Sequence, residues 1–308
     1  MVTKSFQTLM MGFSAIALAG TAAIAATPAT AGTLANPVVS GSDYLTYGSD
    51  GTNTFLVPNT SANVQSALTG DSSNPTGNVE LFASSEQPGA NFNQVTSLSG
   101  TLGGKGITLS NLTLSDWLSP VGSSTFGQVW FNAALNNNGL GGLSNDIKGF
   151  AFNVFKNYGG FQRFSDPNIS YVNQDSSGLV RIGLAGHFNA TSLITKSIDG
   201  FLNDSSVPNN AKFLANNLKS QLSGRTIQAS EVVKVAYNGG PSQLLYSFNA
   251  TQSGLVERGD RLSHTGNYEV TFQGDVPPQD VPEPSLLLGL VGLGGAFLLK
   301  RQGGQGAA

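Results

Sequence analysis

The chain has no cysteine and few charged residues. Its 308 residues include 15 lysines and arginines against 18 aspartates and glutamates, a net charge of -3. Without cysteine there are no disulfides, no thiol nucleophile and no cysteine-based metal site. Because no basic surplus exists, nucleic acid is not expected as a partner. With only 2 histidines, a zinc site of three or four ligands is also not expected.

The shortage of charge has a consequence for the surface of the folded protein. Charged residues make up 11% of the chain, whereas about a quarter is usual. Hydrophobic residues reach 39%, with 18 phenylalanines, so a core can form. Serine, threonine, asparagine, glutamine and glycine must therefore cover the surface. Such an uncharged polar surface suits an extracellular or polysaccharide-rich environment.

The N-terminus has the three-part pattern of a secretory signal peptide. Lys4 is the only charge before an apolar run over residues 9–26, and two small-x-small sites follow. We predict signal cleavage at the site formed by Ala29 and Ala31, after Ala31, with the site ending at Ala25 as the alternative. An uncleaved membrane anchor is the other interpretation, but glycine and serine residues within the run weaken it.

The C-terminus carries a short apolar stretch. Residues 285–299 contain no charge, and Lys300 and Arg301 follow directly. At about 1.5 Å rise per residue, a helix here covers only part of a hydrocarbon core about 30 Å thick. It can span if the bilayer thins or if its basic flank snorkels. Because positive charge stays on the cytoplasmic side, Lys300 and Arg301 stop the helix there and place the preceding domain outside.

A proline motif stands directly before this stretch. Pro282, Glu283 and Pro284, the apolar helix and the basic pair Lys300 and Arg301 resemble the PEP-CTERM sorting signal. The resemblance implies that an integral-membrane exosortase recognises the three motif residues and removes the tail. Two prolines keep the motif extended and accessible. The neutral extension after Arg301 departs from the pattern, and an ordinary single-span anchor is the alternative.

Three further segments, residues 159–174, 183–190 and 263–270, resemble blocks from an uncharacterised family of bacterial PEP-CTERM proteins. This second resemblance extends over most of the remaining chain. It implies export, and it implies no activity.

Periodicity predicts an α+β fold in one globular domain, with antiparallel β-sheets and about four helices packed on them. Helical spacing of apolar residues predicts helices near residues 126–134, 143–158, 194–202 and 211–222. Alternation of apolar and polar residues predicts strands near residues 54–57, 78–83, 106–115, 169–172, 179–184, 231–237, 244–248 and 268–272.

The predicted organisation is therefore a signal peptide, a domain, a proline-rich spacer and a sorting signal. The ranges are 1–31 for the signal peptide, 32–273 for the α+β domain, 274–281 for the spacer, 282–302 for the sorting signal with its transmembrane helix 285–299, and 303–308 for a cytoplasmic tail.

No catalytic signature is present, and two kinds of hydrolytic site are the alternatives. A Ser-His-Asp site is conceivable from His187 or His264 with Asp166 and a serine, although no G-x-S-x-G elbow occurs. Paired carboxylates for glycoside hydrolysis would have to come from Glu80, Asp116, Glu231 and Glu269. Sequence does not place these four together, and Glu231 and Glu269 are expected on the solvent faces of their strands.

No cofactor is expected, and calcium is the metal that the chain could hold more readily than zinc. Asp43, Asp50 and Asn53 are weak ligand candidates, because oxygen ligands suffice for calcium and the three lie close in sequence. Aspartate and asparagine are equally the residues that turns favour, and turn chemistry is the preferred interpretation. Aromatic residues that could stack on sugars are Trp117, Trp130, Tyr44, Tyr47 and Tyr171.

The sequence thus predicts an exported, non-catalytic protein of the cell surface or extracellular matrix. Signal peptidase and exosortase are its expected processing enzymes, extracellular polysaccharide an expected partner, and the C-terminal helix a transient inner-membrane anchor. A glycan-binding module and a secreted hydrolase are the alternatives. Two carboxylates facing one another in a cleft would favour the hydrolase, whereas a row of exposed rings would favour glycan binding.

Overall fold

The computed structural model describes residues 30–277, and these residues form an α+β domain with antiparallel-rich sheets and six α-helices. The helix predicted at 285–299, the proline motif from Pro282 to Pro284 and the basic pair Lys300 and Arg301 lie outside the described residues, as does Ala29. Within residues 30–277, no helix combines the length and the apolar character needed to cross a membrane.

The strands, in chain order, are β1 (Thr30–Thr33), β2 (Ala35–Ser40), β3 (Tyr44–Ser49), β4 (Asn53–Val57), β5 (Gly77–Leu81), β6 (Ser97–Leu102), β7 (Lys105–Ser110), β8 (Pro120–Val121), β9 (Ser124–Thr125), β10 (Asn168–Asp175), β11 (Leu179–Gly186), β12 (Val233–Tyr237), β13 (Gln243–Leu245), β14 (Thr251–Gln252), β15 (Val256–Glu257) and β16 (Gly266–Gln273). The helices are α1 (Ser61–Ala67), α2 (Leu114–Trp117), α3 (Phe126–Asn137), α4 (Asn145–Asn157), α5 (Thr191–Asn203) and α6 (Asn209–Leu222), with a 3₁₀ turn at Gln162–Phe164.

The strands form one large and one small sheet, plus the β8–β9 ribbon. The large sheet has the order β14-β16-β11-β10-β5-β3-β4-β15, and β1 also pairs with β10. The small sheet has the order β13-β12-β7-β6-β2. Within the described residues β15 and β4 are the only parallel pair. Long-range pairing therefore places β5 next to β10, and the backbone amide of Asn168 in β10 donates to Glu231 just before β12.

One hydrophobic core lies between the two sheets. Val79 and Val172 from the large sheet share a buried cluster with Leu109 and Val235 from the small sheet. On β12, Val233 and Val235 are buried while Lys234 between them is not, as the period of two requires. Burial of the alternate residues of both sheets stabilises the sandwich through the hydrophobic effect.

A second core is rich in aromatic side chains from the helices and from the segment before β10. Trp117 stacks on Phe161 with 4.6 Å between ring centroids and meets Trp130 edge-on at 5.5 Å. The indole Nε1 of Trp117 donates to Oγ of Ser165 at 2.6 Å, so its polar atom is satisfied although the side chain is fully buried. This packing fixes the backbone directly before Asp166.

The four predicted helices are confirmed as α3, α4, α5 and α6. Helix α4 begins after Ser144, whose Oγ accepts from the Ile147 amide at 3.4 Å, as an N-cap should. The strand predicted for residues 106–115 was too long, because β7 ends at Ser110. A capping box between Thr113 and Asp116 starts α2 instead. Helices α1 and α2 raise the predicted number from four to six.

Candidate functional site

A cleft of about 340 Å³, the acidic cleft, opens beside the large sheet. Its carboxyl-bearing residues are Glu80, Glu86, Asp166, Glu231, Glu257 and Asp260. These are six of the 18 acidic residues in a chain where charge is scarce, so their convergence is a marked local concentration. A volume above about 300 Å³ is typical of small-molecule sites.

Glu80 enters the acidic cleft from β5. Its carboxyl is held by Tyr47 on the neighbouring strand β3, whose Oη donates to Oε2 at 3.1 Å. Burial, followed by the negative charge of Asp166, raises the pKa of Glu80 to about 8. Burial also raises the pKa of Tyr47, so its hydroxyl keeps its proton and remains a donor.

Asp166 lies just before β10 and is only 8% exposed. The hydroxyl of Ser85 donates to its Oδ2 at 2.5 Å. Its other oxygen, Oδ1, has no hydrogen-bond partner among the described residues. Burial is the main reason that the pKa of Asp166 is raised; the Ser85 bond opposes this, and the charge of Glu86 adds to it.

Glu231 reaches the acidic cleft from the segment that precedes β12. Its Oε2 accepts from the backbone N–H of Asn168 at 3.0 Å, and the side-chain amide of Asn168 lies 3.5 Å from both carboxyl oxygens. Burial and the charge of Asp166 raise its pKa well above the ordinary value, while the Asn168 bond acts against that shift. Asn168 itself is 7% exposed, and its Oδ1 has no partner in residues 30–277.

These three carboxyl groups influence one another electrostatically. The charge of Asp166 raises the pKa of both Glu80 and Glu231, because like charges nearby disfavour ionisation. Near neutral pH the group therefore holds protons that ordinary carboxylates would have lost. A carboxylic acid next to a carboxylate can donate and accept protons at one pH, a property that clusters at functional sites.

Both histidines lie near the ends of strands and at the acidic cleft. His264 is 4% exposed and is held by a 2.7 Å hydrogen bond between Nδ1 and Oγ1 of Thr54. Its ring meets Tyr47 edge-on with 4.7 Å between centroids. Burial lowers the pKa of His264 to about 4, so the imidazole is neutral at pH 7. Burial lowers the pKa of His187 as well.

The Ser-His-Asp arrangement considered from sequence with Asp166 is not formed. Asp166 bonds to Ser85, whereas His187 Nε2 meets Oγ of Ser263 at 3.2 Å. Asp260 does not orient that imidazole through a hydrogen bond, because its carboxylate accepts from the hydroxyl of the same Ser263. A triad requires the carboxylate on the imidazole nitrogen distant from the serine. The Asp260 carboxylate instead organises its own loop, accepting from two backbone amides.

Of the four predicted carboxylates, Glu80 and Glu231 meet at the acidic cleft and the other two do not line it. Asp116 closes the capping box of α2 and pairs with Lys234 at 2.7 Å. Glu269 accepts from the Tyr171 hydroxyl at 3.0 Å. The expectation that Glu231 faces solvent was wrong, because it precedes β12 and its carboxyl lies against Asn168.

The three calcium candidates do not form one site. Asp43 precedes β3 and accepts from the Ser84 amide at 3.0 Å, whereas Asp50 follows the same strand at its other end. Oδ1 of Asp50 accepts from the Asn53 amide at 2.7 Å, which is turn chemistry. No group of three or more histidine, aspartate or glutamate side chains in the described part of the chain is arranged to hold a metal ion.

The aromatic candidates do not form a row of exposed rings. Trp117, Trp130 and Tyr171 are at most 1% exposed, and the two tryptophans belong to the aromatic core. Trp117 therefore lies in the core and is not a platform for a sugar. Tyr44 and Tyr47 are half-buried on β3, and only Tyr47 reaches the acidic cleft.

Several residues of the acidic cleft were not found from sequence. Glu86, Glu257 and Asp260 follow or end short strands and carry no motif. Arg163 lies in the 3₁₀ turn and pairs with Glu86 at 3.0 Å. The sequence did offer one signal for them. Charged residues are rare in this chain, so acidic residues that recur near the ends of strands are candidates for a shared site.

Comparisons with protein-family models, with curated proteins and with solved structures find no match for this chain. Residues 159–174, 183–190 and 263–270 all contribute to the acidic cleft. Asp166 and Asn168 lie in the first, His187 in the second, and Ser263 and His264 in the third.

Proposed function

We propose that this chain is an exported bacterial protein that an exosortase sorts at the cell envelope. The observation that carries the proposal is the order of three features near the C-terminus: the motif Pro282-Glu283-Pro284, the uncharged stretch 285–299, and the basic pair Lys300-Arg301. A short apolar helix is a weak anchor, which fits a segment that holds the protein only until it is processed. The basic pair keeps the tail on the cytoplasmic side.

Signal peptidase is the enzyme proposed to act at the N-terminus. The pairing of β1 with β10 bears on which site it uses, because Thr30 pairs with Asp175 and Thr33 with Asn173. Cleavage after Ala31 would remove the first half of this strand. Cleavage after Ala25, the alternative, would leave the strand whole, and this consideration favours that site.

Outside the membrane, the domain is proposed to act as a non-catalytic surface or matrix protein associated with extracellular polysaccharide. Support comes from composition, since 11% charged residues leave a surface of uncharged hydroxyl and amide groups. Such groups exchange hydrogen bonds with sugar hydroxyls without the cost of desolvating ions.

The test of sorting is mass spectrometry of the protein from cell and medium fractions. Wild type should lose its tail, whereas a variant with Pro282, Glu283 and Pro284 all changed to alanine should retain it. The matched control changes Pro277 and Pro278 of the spacer to alanine and should be processed like wild type. A wild-type C-terminus that still ends at Ala308 in every fraction would contradict the proposal.

A secreted hydrolase is the second candidate, and one observation favours it: Glu80, Asp166 and Glu231 share a cleft in which all three carboxyls have raised pKa values. For a glycosidic bond, a protonated carboxyl would give its proton to the leaving oxygen. A carboxylate would take one proton from the attacking water, whose hydroxyl joins the sugar carbon.

The hydrolase is tested by release of new reducing ends from extracellular polysaccharide. Glu80→Gln and Glu231→Gln should each lower the rate by at least about a hundredfold, as the loss of a general acid or base does. Asp199→Asn, on the surface of α5 and away from the acidic cleft, should not change it. Equal rates for all four proteins would remove this candidate.

A further inference from the structure

The acidic cleft is rich in acceptors and carboxyls, and it has little positive charge. Among the described residues that line it, Arg163 is the one lysine or arginine. Its guanidinium is already committed, with Nε bonded to Glu86 at 3.0 Å and Nη1 bonded to the Tyr158 carbonyl at 3.0 Å and to Ser197 at 2.8 Å. No basic side chain of the lining is therefore left for Glu80, Asp166 and Glu231.

Two buried oxygens at the acidic cleft have no donor. Oδ1 of Asn168 and Oδ1 of Asp166 make no hydrogen bond within the described residues, and both side chains are more than nine-tenths buried. The orientation of the Asn168 amide is fixed, because its Nδ2 faces the Asp166 carbonyl at 3.3 Å and the Glu231 carboxyl. Its free atom is thus an oxygen. A buried acceptor without a donor is costly, and a ligand that donates would remove that cost.

His264 adds a further uncommitted polar atom. Its Nδ1 bonds to Thr54, and His264 is one of the residues that line the acidic cleft. No hydrogen bond to the Nε2 atom is found in residues 30–277. The neutral imidazole brings no positive charge to compete with a cationic ligand.

A metal ion does not match this arrangement, because no three acidic or histidine side chains of the described residues converge at metal distances. A primary ammonium group does match, since its three N–H donors reach separate acceptors at ordinary hydrogen-bond distances. We propose that the acidic cleft binds a small ligand through a primary ammonium group, held by Glu80, Asp166, Asn168 and Glu231.

The surroundings favour an amino sugar as the source of this ammonium. The hydroxyls of Tyr47 and Ser263 and the carboxylate of Asp260 lie in the same cleft and suit the hydroxyls of a sugar ring. A volume of about 340 Å³ suits a small molecule or a single chain end. An alkylamine would use the ammonium contacts alone. The inference does not rest on the sorting proposal, and binding is measured separately from turnover.

Binding of a cation should be linked to release of protons. The ionisable groups that face the ammonium site come from every element around it: Tyr47 on β3, Glu80 on β5, Glu86 after β5, Arg163 in the 3₁₀ turn, Asp166 before β10, His187 after β11, Lys196 on α5, Glu231 before β12, Glu257 on β15, and Asp260 and His264 before β16. A bound ammonium favours the ionised carboxyls, so they lose protons on binding. Affinity for an amine that stays charged should rise between pH 6 and pH 8.

The experiment is calorimetric titration of the purified full-length protein with three probes. Glucosamine at pH 6.5, where its ammonium is charged, should bind, and N-acetylglucosamine, which has the same ring without the charge, should not. Propylamine should bind more weakly than glucosamine if the ring contacts are used, and its affinity should increase from pH 6 to pH 8. Heats in two buffers of different ionisation enthalpy should show release of protons.

Variants make the assignment specific. Glu231→Gln and Glu80→Gln should each weaken glucosamine binding by at least about tenfold, because each removes a carboxylate that contacts the ammonium group. Asp199→Asn should leave binding unchanged, and circular dichroism should show that all three variants are folded. Equal affinity for glucosamine and N-acetylglucosamine, no binding of either amine, or full binding by Glu231→Gln would each overturn the proposal.

Discussion

At the residue scale, the unusual groups are three acids of the acidic cleft, of which Asp166 is buried and Glu80 and Glu231 are half-buried. Most acids of the described chain have local partners, as Asp50 does in its turn, where two backbone amides lower its pKa to about 2. Glu80, Asp166 and Glu231 also accept hydrogen bonds, but they lie close to one another and their pKa values are raised. Folding thus holds together carboxyls that would ionise readily in the unfolded chain, and this arrangement opposes stability at neutral pH.

The first prediction concerns pH. Between about pH 4.5 and 8, the unfolded chain has released the Glu80 proton while the folded protein still holds it, so the free energy of unfolding falls as pH rises. The raised pKa values of Asp166 and Glu231 act in the same direction. The lowered pKa values of His187 and His264 act against them below about pH 6.5, because there the unfolded chain binds protons that the folded protein does not. The midpoint of thermal unfolding should be several degrees higher at pH 5 than at pH 8.

The matched variant for this prediction is Glu80→Gln, which resembles the protonated acid in shape. It should raise the unfolding midpoint at pH 8 and reduce the difference between pH 5 and pH 8, while Asp199→Asn on the surface should not. A wild-type midpoint that rises from pH 6.5 to pH 8 would mean that these acids are ionised in the folded protein.

At the scale of elements, local patterns predicted the helices well where the apolar stripe was long. The stripe from Leu143 to Tyr158 and the cap at Ser144 predicted α4 closely. The alternating residues after Ser110 were misassigned to a strand, although Thr113 and Asp116 have the spacing of a capping box. Short helices such as α2 have too few turns to show a period, so only their caps reveal them.

Two glycines in helices give a second prediction, because one is packed and the other open. A Cβ on Gly127 of α3 would lie 2.5 Å from the Phe161 ring, which is stacked on Trp117 and cannot easily move. Gly127→Ala should therefore destabilise the domain by about 1–3 kcal/mol. Gly149→Ala in α4, where nothing lies within 4 Å, should stabilise it by up to about 1 kcal/mol.

Urea unfolding of both variants and of wild type measures these changes. The two substitutions add the same methyl group, so opposite signs would isolate the contact with Phe161. If Gly127→Ala were as stable as Gly149→Ala, the close approach of α3 to the stacked rings would be wrong.

The third prediction concerns β1. A fragment of residues 26–276 contains Thr30, which pairs with Asp175 in β10, whereas a fragment of residues 32–276 lacks it. Each backbone hydrogen bond contributes about 1 kcal/mol net, so the shorter fragment should unfold a few degrees lower. Thermal unfolding followed by circular dichroism measures the difference. Equal midpoints would show that β1 contributes nothing before Gly32, and signal cleavage after Ala31 would then cost no stability.

At the scale of the whole molecule, the fold class could be predicted and the acidic cleft could not. Alternation and helical periodicity are local, and they predicted an α+β domain with antiparallel sheets. Glu80, Asp166 and Glu231 are far apart in sequence and meet only because β5 pairs with β10 and the segment before β12 crosses next to them. Sheet order of this kind depends on long-range pairing, which a single sequence does not encode in any short motif.

Export is the central claim at this scale, since the proposed partners all require the domain to reach the outer side of the inner membrane. The direct measurement is a fusion of the chain through Val281 to a phosphatase that is active only in an oxidising compartment, followed by residues 282–308. We predict activity in intact cells with the signal peptide present, and none when residues 1–25 are deleted. Fusion protein found inactive in the cytosol despite an intact N-terminus would contradict the account.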